Sequence, residues 1–550
     1  MRTYKQEKKE QSRVRIWSHA VTSLTTRRDE IRILNRTYLT KLSGFVEAKI
    51  GREIDPAVLQ DFFSFLDLSY GKKNANELKV AFFCGPEPEN DVEVLLSLGV
   101  RLENMFAFEL ENIEFNQAVG ALRGKYPQLK IFNGKIETYS QLHNTLFDII
   151  YLDFTSTLNK CFKTICSVFD NNMLSPLGVL AVNTTYPDKS KGNIDFLAQY
   201  FYNDTMFERS VIEGDEGYDD VMPGFGRVEG ASCHGWESPD DLIQYINEYF
   251  ENAYSAFQSD FINGYANITK PIYSIMSQSI LQKRLFKLPF LDELLKYEKA
   301  YNQMDFDYCN DGVSLFSRKF RMLGSEDPIY KHFVAMEAGR KFSRMNSLML
   351  WELLVNAQYI HQYDLDDNGI GIDDEGNTIY EKIDILSYLA DPLVSAVSVI
   401  EDMIKPKNMG ALFCDLPMIH LWLEMIVNSL GYPYHANLKN HERHRYIAKE
   451  RQMCVDVFTF DQCRGLYDWL PMIEYHADYV KDYDRQLISR MCIDAIAKNS
   501  LGVIQQQYFG SAMVGEGEQP WAHFADFPKR EEISNITCFE VGPGLPCDKI

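Results

Sequence analysis

The chain has 550 residues, a length that suggests roughly 2–4 domains, and its 45% hydrophobic and 24% charged residues are ordinary for a globular protein with ample core. No run of ~18 uncharged apolar residues occurs, which excludes a membrane-spanning helix, and a formal net charge of −22 argues against non-specific binding of polyphosphate over the whole surface. The 11 cysteines are dispersed without a CxxC pair, which excludes a disulfide framework and fits reduced thiols.

The first residues, MRTYKQEKKEQSRVR, are charged and lack the apolar segment of a secretory signal, so a cytoplasmic location is expected. Residues 1–75 read as a helical cap. Ile31, Leu34, Leu39, Leu42, Phe45 and Val46 recur at helical spacing over 29–49. Pro56 then sits early in a second helix with Leu59, Phe62, Phe63 and Leu66.

Residues 76–190 alternate strand and helix. Strands are predicted at 79–84, 105–108, 129–133, 147–153 and 178–184, with helices between them, for example at 90–98 and 113–125. FDIIYLD and LGVLAVN are short continuous apolar runs of the kind that parallel strands buried on both faces show. The first unit, LKVAFFCGPEPEND, runs into a turn at Gly85, Pro86, Glu87, Pro88 and Glu89, and the second strand, NMFAFELE, ends on Glu109. A doubly wound sheet builds a nucleotide site at such carboxyl ends.

Residues 191–404 read as a mainly helical insertion or substrate domain, preceded by an acidic, glycine-rich loop to about 237. Within it, Asp364, Asp366, Asn368, Gly369 and Glu375 fall at calcium-loop spacing. Gly371 stands where an apolar residue is usual, however, and a plain acidic turn is the expectation. Cys233-His234 has no second pair at zinc-site spacing, so no metal site is assigned. Residues 405–465 carry a strand near NMGALFCDLP, a helix ending at Gly431, and two extended runs, HANLKNHERHRYI and MCVDVFTFD. A basic cluster, Lys439, His441, Arg443, His444 and Arg445 beside Tyr446, reads either as a phosphate or nucleic-acid contact or as a solvated strand face. Alternation places Arg443 and Arg445 on one face and His444 on the other. Residues 466–550 read as a mixed, irregular extension with a helix near 485–498.

Taken in order, residues 78–186 resemble the cofactor half of the Rossmann-like S-adenosylmethionine-dependent methyltransferases. The resemblance covers about a fifth of the chain in five pieces: VAFFCGPEPEND, FAFELE, LKIFNGKIETY, FDIIYLDFTST and LSPLGVLAVNTTYPD. It implies an α/β fold with a doubly wound, mostly parallel sheet, here carrying a large helical insertion and a helical amino-terminal cap. The strands of 405–465 would then close the same sheet. It also implies S-adenosylmethionine as cofactor. Gly85, Pro86 and Glu87 would lie at its methionine end, Glu109 on its ribose, and Ile136 and Glu137 at its adenine. Asp153 and Phe154 would face the acceptor as catalytic residues. The chain departs from the family in having a single glycine and two prolines in the first turn, and Cys84 where a strand-end acid is usual. The implied activity is methyl transfer to an acceptor such as a nucleic-acid base or nucleotide. The alternative is a non-catalytic Rossmann-like protein that binds or assembles through its helical insertion. A nicotinamide-dependent oxidoreductase is disfavoured, because the turn lacks G-x-G-x-x-G and has prolines where phosphates must approach backbone N–H groups.

Overall fold

Three helices open the described part of the chain, the second and third of them capped. A computed structural model describes residues 7–51, 53–195, 239–266, 432–448, 450–469 and 483–496, positions 197, 270 and 391, and short strands at 370–372, 378–381 and 539–540. Helix α1 (Glu7–Leu24) lies within the expected helical cap, in a stretch that opens with charged residues. Its Ile16, Trp17, Ala20, Val21 and Leu24 nonetheless form a buried stripe at amphipathic spacing. The expected helix over 29–49 starts later, as α2 (Arg36–Ile50), because the Asn35 side chain accepts from Tyr38 N at 2.8 Å and fixes the start there. Helix α3 (Pro56–Tyr70) begins with Pro56 behind an Asp55 cap, as expected.

Strand and helix then alternate: β1 (Val80–Phe83), α4 (Glu89–Ser97), β2 (Met105–Glu109), α5 (Asn112–Leu122), β3 (Lys130–Asn133), α6 (Ile136–Leu142), β4 (Phe147–Asp153), α7 (Leu158–Asp170) and β5 (Leu174–Thr185). These lie close to the predicted positions. Strand β5 is longer at its start, where its pairing with β4 shifts register between Phe147 and Ile149. Two helices follow, α8 (Pro239–Glu248) and α9 (Phe250–Gly264), and then a hairpin of β6 (Ile370–Ile372) and β7 (Thr378–Glu381). Asp364, Asp366, Asn368, Gly369 and Glu375 lie outside the described residues, as do Cys233, His234 and the strand and helix expected between 405 and 431. The chain continues with β8 (His435–Ala436), β9 (Glu442–Ala448), β10 (Arg451–Asp461), α10 (Arg464–Tyr467), α11 (Tyr483–Ile496) and β11 (Phe539–Glu540).

One mixed sheet has the order β11-β9-β10-β5-β4-β1-β2-β3, with β8 paired to the far end of β10. Strands β1 to β5 are mutually parallel. Strand β10 runs antiparallel to both β5 and β9. Because successive residues of a strand point to opposite faces, β4 and β5 divide their side chains between two cores. Ile149, Tyr151, Val179 and Ala181 pack with Ile16, Trp17 and Val92 under α1 and α4. Ile150, Leu152, Leu180 and Val182 pack with Phe162, Phe257 and Phe261 from α7 and α9. Of the segment expected as a helical insertion, α9 therefore serves as a covering helix of the sheet itself.

Three members of the basic cluster, His441, Arg443 and His444, are neither phosphate contacts nor a solvated face, while Lys439 is exposed and Arg445 half-buried. The side chains of His441, Arg443 and His444 are at most 1% exposed. Alternation does hold, since Arg443 bonds to Ser259 of α9 while the His444 ring meets Ser12 Oγ of α1 at 2.8 Å. Asp456 of β10 organises the first of these faces. It accepts from Gln258 Nε2 at 2.6 Å, Ser259 Oγ at 2.5 Å, His441 Nε2 at 2.9 Å and Arg443 Nε at 3.2 Å. The Gln258 amide oxygen in turn accepts from Thr184 of β5 at 2.5 Å. Burial alone would raise the Asp456 pKa, but Arg443 and the hydrogen bonds outweigh it and hold the carboxyl at about 2.

Breaking a buried ion pair from one side leaves the other charge without compensation. Asp456→Ala is therefore expected to lower unfolding stability by about 3–5 kcal/mol, whereas Asp456→Leu combined with Arg443→Met loses much less; urea denaturation of the three proteins checks this. Burial also pushes His435 and His444 down to about 3. The unfolded chain, with histidines near ~6.5, takes up protons that the fold refuses as pH falls below that value. The stability they contribute is complete above about 6.5 and declines towards about 3. Buried Asp91 and Asp461, whose pKa values are raised mainly by burial, act in the opposite direction. Comparison with His444→Gln isolates the histidine: the variant should lose less stability than the parent between pH 7 and pH 5, read from urea midpoints.

Candidate active site at the carboxyl end of the sheet

The first turn after β1 is fixed by backbone shape. Cys84 N donates to Phe108 O at 3.1 Å, and Gly85 then takes φ +58. A Cβ there would meet nothing within 4 Å, so glycine is required for conformation and not for space. Asn90 Nδ2 donates to Glu87 at 3.2 Å, which ties Glu87 to the start of α4. Glu89 Oε2 is buried without a donor among the described residues. Asp91, also buried, accepts from Arg13 Nε and Trp17 Nε1 of α1, both at 2.9 Å. The Trp17 ring packs edge-on against Phe82 and Tyr151, so α1 is anchored at the first turn by both polar and aromatic contacts. Burial first, then the charges of Glu109 and Asp91, push the Cys84 thiol up. It is thus held neutral, as an inert packing residue.

At the end of β2, Glu109 is half-buried, and its Oε1 accepts from Glu111 N at 2.8 Å. Its carbonyl accepts from Gly134 N at 2.9 Å, which joins the ends of β2 and β3. Leu110 is 54% and Ile113 75% exposed beside it. These two apolar side chains flank the acid and escaped the sequence reading. Ile136 is buried in the second-face core with Phe106 and Phe108, and Glu137 accepts from Thr164 Oγ1 of α7 at 2.5 Å.

At the end of β4, the Asp153 carboxylate is held from two sides. Lys9 Nζ of α1 lies 2.9 Å from Oδ2, and Asn183 Nδ2 of β5 donates to Oδ1 at 2.6 Å. Asn183 Nδ2 also donates to Tyr446 Oη of β9 at 2.8 Å. Asn183 is fully buried, and its Oδ1 has no donor among the described residues. Phe154 N donates to Asn183 O at 2.9 Å, and the Phe154 ring meets Phe83 edge-on at 5.4 Å. The structure thus brings Asp153 and Phe154 against the ends of β1 and β5. It adds Lys9, Asn183 and Tyr446, which lie far away in sequence. No group of three or more His, Cys, Asp or Glu is placed to hold a metal among the described residues. No helix among them is long and apolar enough to cross a membrane.

No family model matches the chain, and no curated protein matches it. Among solved structures, the candidate methyltransferase yhhF of Escherichia coli is 16% identical, covering 25% of this chain and 71% of its own, with a TM-score of 0.19. The candidate methylase HI0767 of Haemophilus influenzae is 18% identical over 24% of this chain and 72% of its own, with a TM-score of 0.18. TrmN of Thermus thermophilus is 15% identical over 22% and 37%, with a TM-score of 0.17. Likenesses this low carry no argument; the strand order and the groups at the strand ends do.

A side chain at Gly85 would strain the left-handed turn without clashing. Gly85→Ala should therefore cost about 1–2 kcal/mol, and Gly85→Asn less, as read from denaturant midpoints.

Proposed function

We propose that the chain is an S-adenosylmethionine-dependent methyltransferase. The observation that carries this reading is the sheet: five parallel strands in the order β3-β2-β1-β4-β5, closed by antiparallel β10 and then β9. That is the completion the family resemblance implies, and ligands of such sheets bind outside the carboxyl ends of the strands.

The residues present fit the cofactor. The Gly85–Pro86 turn leaves open space above the backbone, and Glu89 Oε2 is a buried acceptor in need of a donor, which the amino group at the methionine end would supply. Glu87 and Glu89 share that end of the site, with Glu87 bound to Asn90. Glu109 would take the ribose hydroxyls. Leu110 and Ile113, uncovered beside it, would cover the adenine, with Ile136 and Glu137 framing it from the turn after β3. When bound, S-adenosylmethionine supplies a methyl carbon on a sulfonium sulfur, so alignment of the acceptor is the main task left to the protein. Asp153 holds the acceptor and receives its proton, while Phe154 lines the adjoining wall. The segment 191–404, apart from α9, would shape the acceptor pocket or engage a protein partner. With His441, Arg443 and His444 of the basic cluster inside the fold, these three contribute nothing towards a nucleic-acid acceptor.

A second reading, a non-catalytic binding or assembly protein, draws on Cys84 in place of the strand-end acid and on the occupied carboxylate of Asp153. Isothermal calorimetry separates the two. Binding of S-adenosylmethionine and of its demethylated product should be weakened at least ~100-fold by Glu109→Ala, equivalent to about 2.7 kcal/mol. Absence of binding to either compound overturns the methyltransferase reading.

A further inference from the structure

Lys9 is paired with the carboxylate to which the proposed function assigns the acceptor. Its ammonium lies 2.9 Å from Asp153 at the end of the central strand β4, and the pair is only partly shielded, the side chains being 25% and 16% exposed. Two further observations describe what this corner accepts. Asn183 directs its Nδ2 to Asp153 and Tyr446 and leaves a fully buried Oδ1 without a donor among the described residues. The remaining cation of α1 nearby, Arg13, is bound to Asp91 and Glu10. The corner therefore offers a carboxylate oxygen, and the amide that borders it carries an unused oxygen; a buried acceptor left unpaired is costly until an N–H or O–H reaches it. A primary ammonium has three donors and no acceptor, and one such group, that of Lys9, already sits there. The formal charge of −22 further favours approach of a cation over a polyanion.

We propose that the acceptor is a primary alkylamine that arrives as its ammonium at Asp153 beside Asn183 and displaces Lys9, an internal stand-in; it then releases one proton through Asp153 to solvent, and the freed nitrogen lone pair would take the methyl as its bond to sulfur breaks. This rests on the methyltransferase reading for its purpose, but the displacement itself needs no cofactor. Lys9 sits in the first turn of α1, one turn before Arg13 and two before Trp17, which anchor the helix to Asp91. Its side chain can therefore swing away while the helix stays fixed.

The test is competitive acetylation of the full chain, with the modification of Lys9 and Lys8 quantified by mass spectrometry. The probes are n-butylammonium, n-butanol, adenosine and inorganic phosphate. Lys9 should be acetylated several-fold faster in the presence of n-butylammonium alone, with Lys8 unchanged, and Asp153→Asn should abolish the difference. Lys9→Met should bind n-butylammonium at least ~10-fold more tightly by calorimetry, and Asn183→Ala should reverse that gain. Lysine-bearing peptide in place of n-butylammonium distinguishes an amine on a polypeptide from a free amine. Release of Lys9 by adenosine would overturn the proposal in favour of a base acceptor. Unchanged Lys9 acetylation with every probe, or no gain in Lys9→Met, would overturn it outright. S-adenosylmethionine calorimetry on the same preparation tells this failure from failure of the methyltransferase reading: cofactor binding without Lys9 displacement sinks only the stand-in.

Discussion

The sheet depends on a junction between two remote parts of the chain. Strands β1 to β5 end at Thr185, while β9 and β10 begin more than two hundred residues later, yet β10 pairs with β5 along nine consecutive positions from Leu177 to Thr185. Backbone pairing alone would leave this hairpin free to slip, since a one-residue shift exchanges the faces of every side chain. Asp456 prevents that. Its bonds to Gln258 and Ser259 of α9, with Gln258 bound to Thr184 of β5, couple strand, hairpin and covering helix in one register. A shifted β10 would bury Asp456 among the valines and tyrosines of the opposite face, away from Arg443.

Much of this architecture could be read from the chain, because local and global signals agree there. β4 was placed to the residue, and β1, β2 and β3 to within one, since each is a short apolar run bounded by turn residues. The hairpin β9–β10 was also expected to join the sheet. What remained hidden has a physical cause. α1 begins with six charged or amide residues in its first seven, which mask an apolar stripe starting only at Ile16. The basic run of β9 carries the letters of a surface, and only Asp456, thirteen residues along, accounts for the burial of Arg443. Sequence shows charge, but not that the tight β9–β10 hairpin sets Asp456 directly opposite Arg443.

The candidate site divides in the same way. Gly85, Glu109 and Asp153 were identifiable because each follows directly from a strand end, the place where a wound sheet exposes its binding edge. Lys9, Asn183 and Tyr446 were not, because they reach Asp153 from α1, β5 and β9, which only the folded sheet brings together. Leu110 and Ile113 were passed over because apolar letters after a strand look like the start of the next helix, and their exposure is what singles them out.

The absence of an acid at position 84 is better understood as a relocation than as a loss. A carboxylate on Cys84 would lie in a site already 7% exposed and next to Asp91 and Glu109, where a third negative charge would be repelled and desolvated. The chain places its acids at the start of α4: Asp91 faces inward to anchor α1 through Arg13 and Trp17, and Glu89 keeps a buried oxygen without a donor among the described residues. One consequence is mechanical. The helix that carries Lys9 to Asp153 is tied to the turn after β1, so the ends of β1 and β4 share a single support. A change that loosens Arg13 or Trp17 from Asp91 would therefore disturb Asp153 through Lys9.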